Sequence, residues 1–190
     1  MPGKRTVRRP RVDVTLATND AHGSSPKRII VLHQTISPDV KGIRDISGVG
    51  HYLDSKGYGI HVITDVEGNS GAVPPASETA IFYHCISNNA IQANTFGIGI
   101  EQVSYKTGAP KYWWRRARQL HKTARWCAYL CKKHGIPPVY DPTCKRGICG
   151  HNDVTHAARV KGGHTDCAWP DYPTKTVALL ARNYMRTGWA

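Results

Sequence analysis

Residues 27–35 read KRIIVLHQT. The apolar centre, Ile29 to Leu32, is mostly β-branched, the composition of a strand. Its apolar positions are consecutive rather than alternate. A strand of that kind is covered on both faces and belongs inside a parallel or mixed sheet. It runs into His33, and α/β sheets collect their chemistry at strand ends and adjoining loops. His33 is therefore the first candidate for function.

Working outward, GYGIHVITDVEGNSGAV (57–73) is expected as a hairpin turning at EGN. TFGIGIEQV (95–103) is a second buried strand, in which Gly97 and Gly99 allow close backbone approach. A short helix is expected over Asp45 to Ser55, although SGVG within it lowers helix propensity. Trp113, Ala117, Leu120, Ala124, Cys127 and Cys131 recur at four-three spacing and predict one helix over 111–135, stopped by Gly135 and two prolines. TKTVALLARNYM (174–185) predicts a C-terminal helix. Strands interleaved with helices give the expected fold class, an α/β domain with a mixed central sheet flanked by helices. We place that domain over residues 27–190. Residues 1–26, rich in cations, Pro, Gly and Ser, are expected as a flexible basic arm with a short extended piece at VDVTL.

The chain has 190 residues, enough to bury one core and short for two domains. No apolar run approaches the ~18 residues of a membrane span, so no stable membrane association is expected. The basic start, MPGKRTVRRPRVDV, has no apolar stretch behind it and is not expected to act as a secretory signal. A net charge of +13 favours an anionic partner: nucleic acid, an acidic membrane surface or an anionic cell wall. Of six cysteines, Cys127 and Cys131 sit four apart on a helix, a spacing too wide for an unstrained disulfide, and are expected as small buried hydrophobes. Cys144 and Cys149 bracket KRGI and could close a small loop as a disulfide or remain thiols.

The densest chemistry is GHNDVTHAARVKGGHTDCAWPDYP (150–173). Catalytic zinc takes three protein ligands and leaves one position open. The residues that could supply them are His33, His61, His84, His151, His156, His164, Asp153, Asp166 and Cys167. Spacing alone does not choose among them.

Three motifs in order, VLHQT, NTFGIGIE and GHNDV…GGHTDCAWP, resemble the type 2 N-acetylmuramoyl-L-alanine amidases, which are related to peptidoglycan recognition proteins and include many phage endolysins. The resemblance spans about residues 27 to 185. It implies an amidase fold and zinc held by His33, His151 and Asp166. It further implies Glu101 as the catalytic glutamate, and His164 at the position of the Lys or His that stabilises the transition state. Asn94 matches the Asn opening the strand motif, and His84 a histidine lining the cleft. His61, which could line the cleft or pack under it, and Tyr58 are further candidates for substrate contact.

The chain departs from the family pattern in four places. Gly97 stands for the usual Ser. Cys167 and Ala168 stand for Pro-Gly, and Cys167 competes with Asp166 as third ligand. The spacer from His151 to Asp166 is long, so THAARVKG could bulge. Where some relatives use a hairpin Tyr this chain has Ile60, with Tyr58 two residues away.

The implied reaction is hydrolysis of the amide between N-acetylmuramic acid and L-alanine, with peptidoglycan as the partner. The expected setting is a monomeric phage endolysin made in the host cytoplasm and acting on the wall after release. Two rival readings stand. One is a non-catalytic peptidoglycan-binding protein, a class that commonly loses a zinc ligand. The other is a zinc-containing nucleic-acid-binding protein built on CKRGICGH, although C-x₄-C-x-H is not a standard finger and no base-reading element stands out. Asp153 could orient His151 or simply fix its loop, the second being preferred; His156 is read as a loop residue, and His51, His121 and His134 as helix-surface residues.

Overall fold

A computed structural model describes residues 6–35, 43–85, 90–104, 110–161, 164, 166–167 and 172–188. In chain order the elements are β1 (Val14–Thr15), β2 (Ile29–Gln34), α1 (Ile43–Ser55), β3 (Val62–Thr64), β4 (Ser70–Ala72), α2 (Ala93–Phe96), β5 (Gly97–Gln102), α3 (Pro110–Trp114), α4 (Ala117–His134), β6 (Gly147–Gly150), α5 (His151–Ala157) and α6 (Thr174–Thr187). The strands form one mixed sheet in the order β1-β4-β3-β5-β2-β6. Among the described strand pairs, β3 with β4 is antiparallel and the rest are parallel; β2 lies between β5 and β6. The expected α/β class with a mixed central sheet is what the chain adopts.

Alternation along β2 decides which face does what. Ile30 and Leu32 join Ile98, Ile100 and Ile148 in a core closed by Leu120, Ala124, Cys127 and Cys131 of α4 and Val177 and Ala181 of α6. Ile29 and Val31 point the other way, into a smaller cluster with Ala93, Cys149 and Val154. With a side-chain period of two, His33 shares the face of Ile29 and Val31, opposite the long helices. Its register partner on β5 is Glu101.

The helix expected over 111–135 is two helices. Its apolar stripe continues across the break, but Arg116 leaves helical geometry at φ −106°, ψ 35°. Its buried guanidinium turns inward to donate to the Val103 carbonyl at 2.7 Å and to Gln119 at 2.9 Å. α4 ends where expected, with Gly135 at φ 66° donating its N–H to Cys131. Strand β6 was not expected, since only Ile148 and Cys149 carry an apolar signal there, and neither was the short helix α5. All six cysteines are free thiols, Cys144 and Cys149 included.

The stretch expected as a flexible arm is packed over its described part, residues 6–26. β1 pairs with β4, and Val7 and Leu16 are buried. Asp13 accepts from the Ser70 N–H at 3.0 Å. Arg9 lies over the Trp126 ring, donates to the Val73 carbonyl and pairs with Glu78 at 2.9 Å. Arg8 and Arg11 are exposed as expected, but Arg9 turns inward to a buried acid.

Glu78 anchors that packing. It also receives Lys133 at 2.7 Å, and the His134 ring, expected at the surface, sits half-buried at 3.9 Å from it. Burial works to raise the Glu78 carboxyl; His134, Lys133 and Arg9 overcome it and hold the group down to about 2. A carboxyl depressed on folding stabilises fully above its unfolded value near 4.5, and that contribution is lost as pH falls through about 2. Glu78→Gln should cost ~2 kcal/mol at neutral pH. Urea unfolding of both proteins should show that gap closing as the pH is lowered through the acid range.

Candidate metal centre

The carboxyl ends of three adjacent parallel strands meet at one place. His33 is the fifth residue of β2 and Glu101 the fifth of β5. His151 is the first residue after β6, where the chain turns into α5. Asp166 arrives on the segment that follows α5, and its backbone carbonyl accepts from the Asn152 N–H at 2.9 Å. The turn at Gly150 makes this approach possible. A Cβ there would lie 2.2 Å from the Cys167 carbonyl oxygen. The long spacer after His151 begins as α5, and the Thr155 hydroxyl donates to the His164 carbonyl at 2.7 Å.

His33, His151 and Asp166 are all buried and converge. Nδ1 of His33 is 2.9 Å from Nδ1 of His151, which is 3.1 Å from Oδ1 of Asp166; Oδ2 of Asp166 is 3.9 Å from Nδ1 of His33. Ligands of one tetrahedral zinc ion lie ~3–3.5 Å apart. The protonation states also suit a cation, since metal ligands must be deprotonated. Burial, with the neighbouring His151 and His84, pushes His33 well below its usual value, so it is neutral. Burial works to raise Asp166, but His151, His33 and the Gln34 N–H at 3.1 Å hold it below the usual range, so it is ionised. The three residues fit a zinc ion in number, type and charge.

Around this cluster opens a cavity of about 600 Å³. Glu101 faces into it from the floor with Oε2 buried and unpartnered among the described residues; burial, and then the charge of Asp166, push its carboxyl well up. His164 is exposed at the mouth, its ring stacked on that of His151 at 4.9 Å. Tyr58 lines the cavity and is half exposed. His84 also lines it, and its Nδ1 lies 3.0 Å from His33 Nε2. The His33 tautomer with Nδ1 free for a cation carries its proton on Nε2, where His84 accepts it; such partners fix a ligand's orientation.

Two expected substrate contacts lie elsewhere. His61 is buried beneath the floor, Nε2 at 3.0 Å from the Ala80 carbonyl and Nδ1 accepting from the Gly99 N–H at 3.1 Å. Asn94 accepts from the backbone N–H of His84 and of Cys85 and donates to the Cys85 carbonyl. It holds the strap that carries His84. Beneath that strap a Cβ on Gly99 would come within 3.0 Å of the His84 ring. Cys167 is fully buried at φ 55°, its Sγ 4.0 Å from Gln102 Nε2, and is not part of the ligand cluster. Proline cannot adopt that φ, so the backbone after Asp166 differs here from a Pro-Gly turn. Asp153 accepts from the Gly150 N–H and the Tyr140 hydroxyl and fixes its loop. Among the described residues no metal-type cluster joins Cys144, Cys149 and His151. Sequence reasoning passed over Cys85, beside His84, and over Val49, Tyr52 and Leu53 of α1, which form an apolar wall of the cavity.

A protein-family model described as N-acetylmuramoyl-L-alanine amidase matches residues 23–170. Among solved structures, the fold is similar to that of the endolysin N-acetylmuramoyl-L-alanine amidase LysCS from Clostridium intestinale (TM-score 0.59, 16% identity, 92% of this chain and 97% of that one). It is also similar to the Staphylococcus aureus hydrolase AmiA in complex with its ligand (TM-score 0.65, 16% identity, 96% of this chain and 89% of that one). At this identity the two structures speak to the fold. No curated protein matches the chain in sequence.

Gly150→Ala tests how the cluster is built. The new Cβ meets backbone, so the Asp166 segment must shift. Stability should fall by ~1–3 kcal/mol, and zinc affinity, read by competition with a chelating dye, should fall at least ~10-fold. Unchanged affinity would mean that Asp166 does not depend on this turn.

Proposed function

The chain belongs to the N-acetylmuramoyl-L-alanine amidase family, and from that premise we propose that it hydrolyses the amide between the lactyl group of N-acetylmuramic acid and L-alanine in peptidoglycan, using zinc held by His33, His151 and Asp166. The observation that carries this reading is the convergence of those three side chains beside Glu101 in one open cavity. Bound zinc would supply Lewis acidity that polarises the scissile carbonyl and acidifies a water molecule.

The chain's own groups do the rest. Glu101 takes a proton from the attacking water at its carboxylate and passes it to the leaving amine nitrogen of alanine. Such a base contributes ~10²–10⁴-fold. His164, at the cavity mouth, donates to the oxygen that gains charge as the carbonyl is attacked, a contribution often worth ~3 kcal/mol. His84 holds the His33 ring, and Tyr58 with the α1 wall contacts the substrate. The ligand trio and Glu101 are both intact, which favours an enzyme over a binding-only protein. The zinc-knuckle reading has no cluster to rest on among the described residues.

The setting we propose is a monomeric phage endolysin acting on the wall after release from the host cytoplasm. LysCS, of similar fold, carries the endolysin description. The basic exterior suits an anionic wall: Arg115, Arg118 and Lys132 around α4 and Lys175, Arg182 and Arg186 on α6 are exposed.

Mass spectrometry of digested walls tests the reaction. New peptides beginning with free L-alanine are expected, and intact walls or cut glycan chains would reject it. Glu101→Gln should lower kcat by ~10²–10⁴-fold while zinc content stays at one ion per chain. Cosedimentation with walls should weaken as NaCl is raised beyond ~0.1 M, where the screening length has fallen to ~10 Å. Salt-independent binding would mean that the cations do not hold the enzyme there.

A further inference from the structure

A second group of metal-type ligands lies beside the first. His33 Nε2 is 3.0 Å from His84 Nδ1, Cys85 Sγ is 3.2 Å from His84 Nδ1, and Cys85 Sγ is 3.9 Å from His33 Nε2. These separations again match ligands of one ion, with the Sγ pairs lengthened as the longer metal–sulfur bond requires. His84 and Cys85 are half-buried and line the cavity, so an ion has a way in. The strap is fixed from below by Asn94, which leaves the two side chains aimed at His33. None of the proposed catalytic steps uses Cys85.

We propose that His33 Nε2, His84 Nδ1 and Cys85 Sγ form an alternative site for a thiophilic divalent cation, exclusive of the His33–His151–Asp166 site. The exclusion follows from His33 itself. A neutral imidazole has one lone pair, on Nδ1 or on Nε2 but not on both. When Nδ1 faces His151 and Asp166, the ring proton sits on Nε2 and closes the second site. When a cation takes Nε2, that proton moves to Nδ1 and the first site loses a ligand. The Cys85 thiol gives its proton to solvent as the metal–sulfur bond forms, and nothing is oxidised or reduced. A thiolate with two imidazoles is the softer donor set, and the two imidazoles with Asp166 the harder one. The chain therefore offers one ion two addresses, and softer ions would draw His33 out of the hydrolytic cluster.

Cobalt(II) reads the two addresses apart, because only a thiolate ligand produces a sulfur-to-cobalt charge-transfer band in the near ultraviolet. The metal-stripped full chain is titrated with Co²⁺ alone. Wild type should show the band with one ion bound per chain, and Asp166→Asn should strengthen it. Cys85→Ser should abolish the band and still bind one ion, which also reports that the variant is folded. Cys167→Ser should leave the band in place. No band in wild type and in Asp166→Asn, or a band that survives Cys85→Ser, overturns the proposal. Neither outcome touches the hydrolase reading, which rests on the wall digest.

Discussion

Parallel pairing of β2 with its two neighbours is the constraint on which the rest depends. In register, His33 stands beside Glu101, and Leu32 beside Gly150, so the next residue of the third strand, His151, leaves the sheet at the same level. A one-residue slip would turn each of these side chains to the other face. The slip is prevented by the opposite face, where Ile30, Leu32, Ile98, Ile100 and Ile148 are all fully buried against α4 and α6. The large apolar core thus fixes the register, and the register fixes the chemistry on the thinner side.

Asp166, the third candidate ligand, lies on no strand, and the chain compensates with hydrogen bonds. Gln34 works at both ends: its N–H donates to Asp166 Oδ2, and its side-chain oxygen accepts from the Cys167 N–H at 3.0 Å. Asn152 binds the Asp166 carbonyl. Cys167 then takes a left-handed conformation, which costs a non-glycine residue ~1–2 kcal/mol. In exchange its side chain is buried against Gln102, which also accepts from the Tyr172 hydroxyl. Cys167, Gln102 and Tyr172, none of which lines the cavity, thus pin the loop to the core behind the sheet.

The sequence disclosed what periodicity and motif order can disclose. β2, β5, the hairpin, α1 and α6 were legible because each carries several residues of one pattern. The ligand trio and Glu101 came from three ordered motifs, and Asp166 was separated from Cys167 only by the direction each side chain takes. Short elements were not legible: β6 offers two apolar residues, and the break before α4 leaves the stripe intact while Arg116 turns inward. The packed N-terminal stretch was misread because charge marks exposure unless a buried partner such as Glu78, some seventy positions away, is known. His61 and Asn94 show the same limit from the other side. A polar residue near a cleft can be spent on backbone, as both are here, and nothing in its type distinguishes that use from contact with a substrate.

Two acids share the cavity floor, and their inequality assigns their work. Two buried carboxylates that feel each other's charge do not ionise alike, and one of the pair is pushed toward keeping its proton. Donors decide which. Asp166 has the Gln34 N–H and the two imidazoles around it; Glu101 has a buried oxygen with no partner among the described residues. Asp166 therefore carries the charge and Glu101 the proton. The field that holds the proton on Glu101 comes from burial and from Asp166, and it weakens when positive charge sits against Asp166. Under the proposed function, Glu101 would release its proton and act as a base only in the loaded cleft. Such separation of two neighbouring acids by environment is how one site assigns charge to one group and proton transfer to the other.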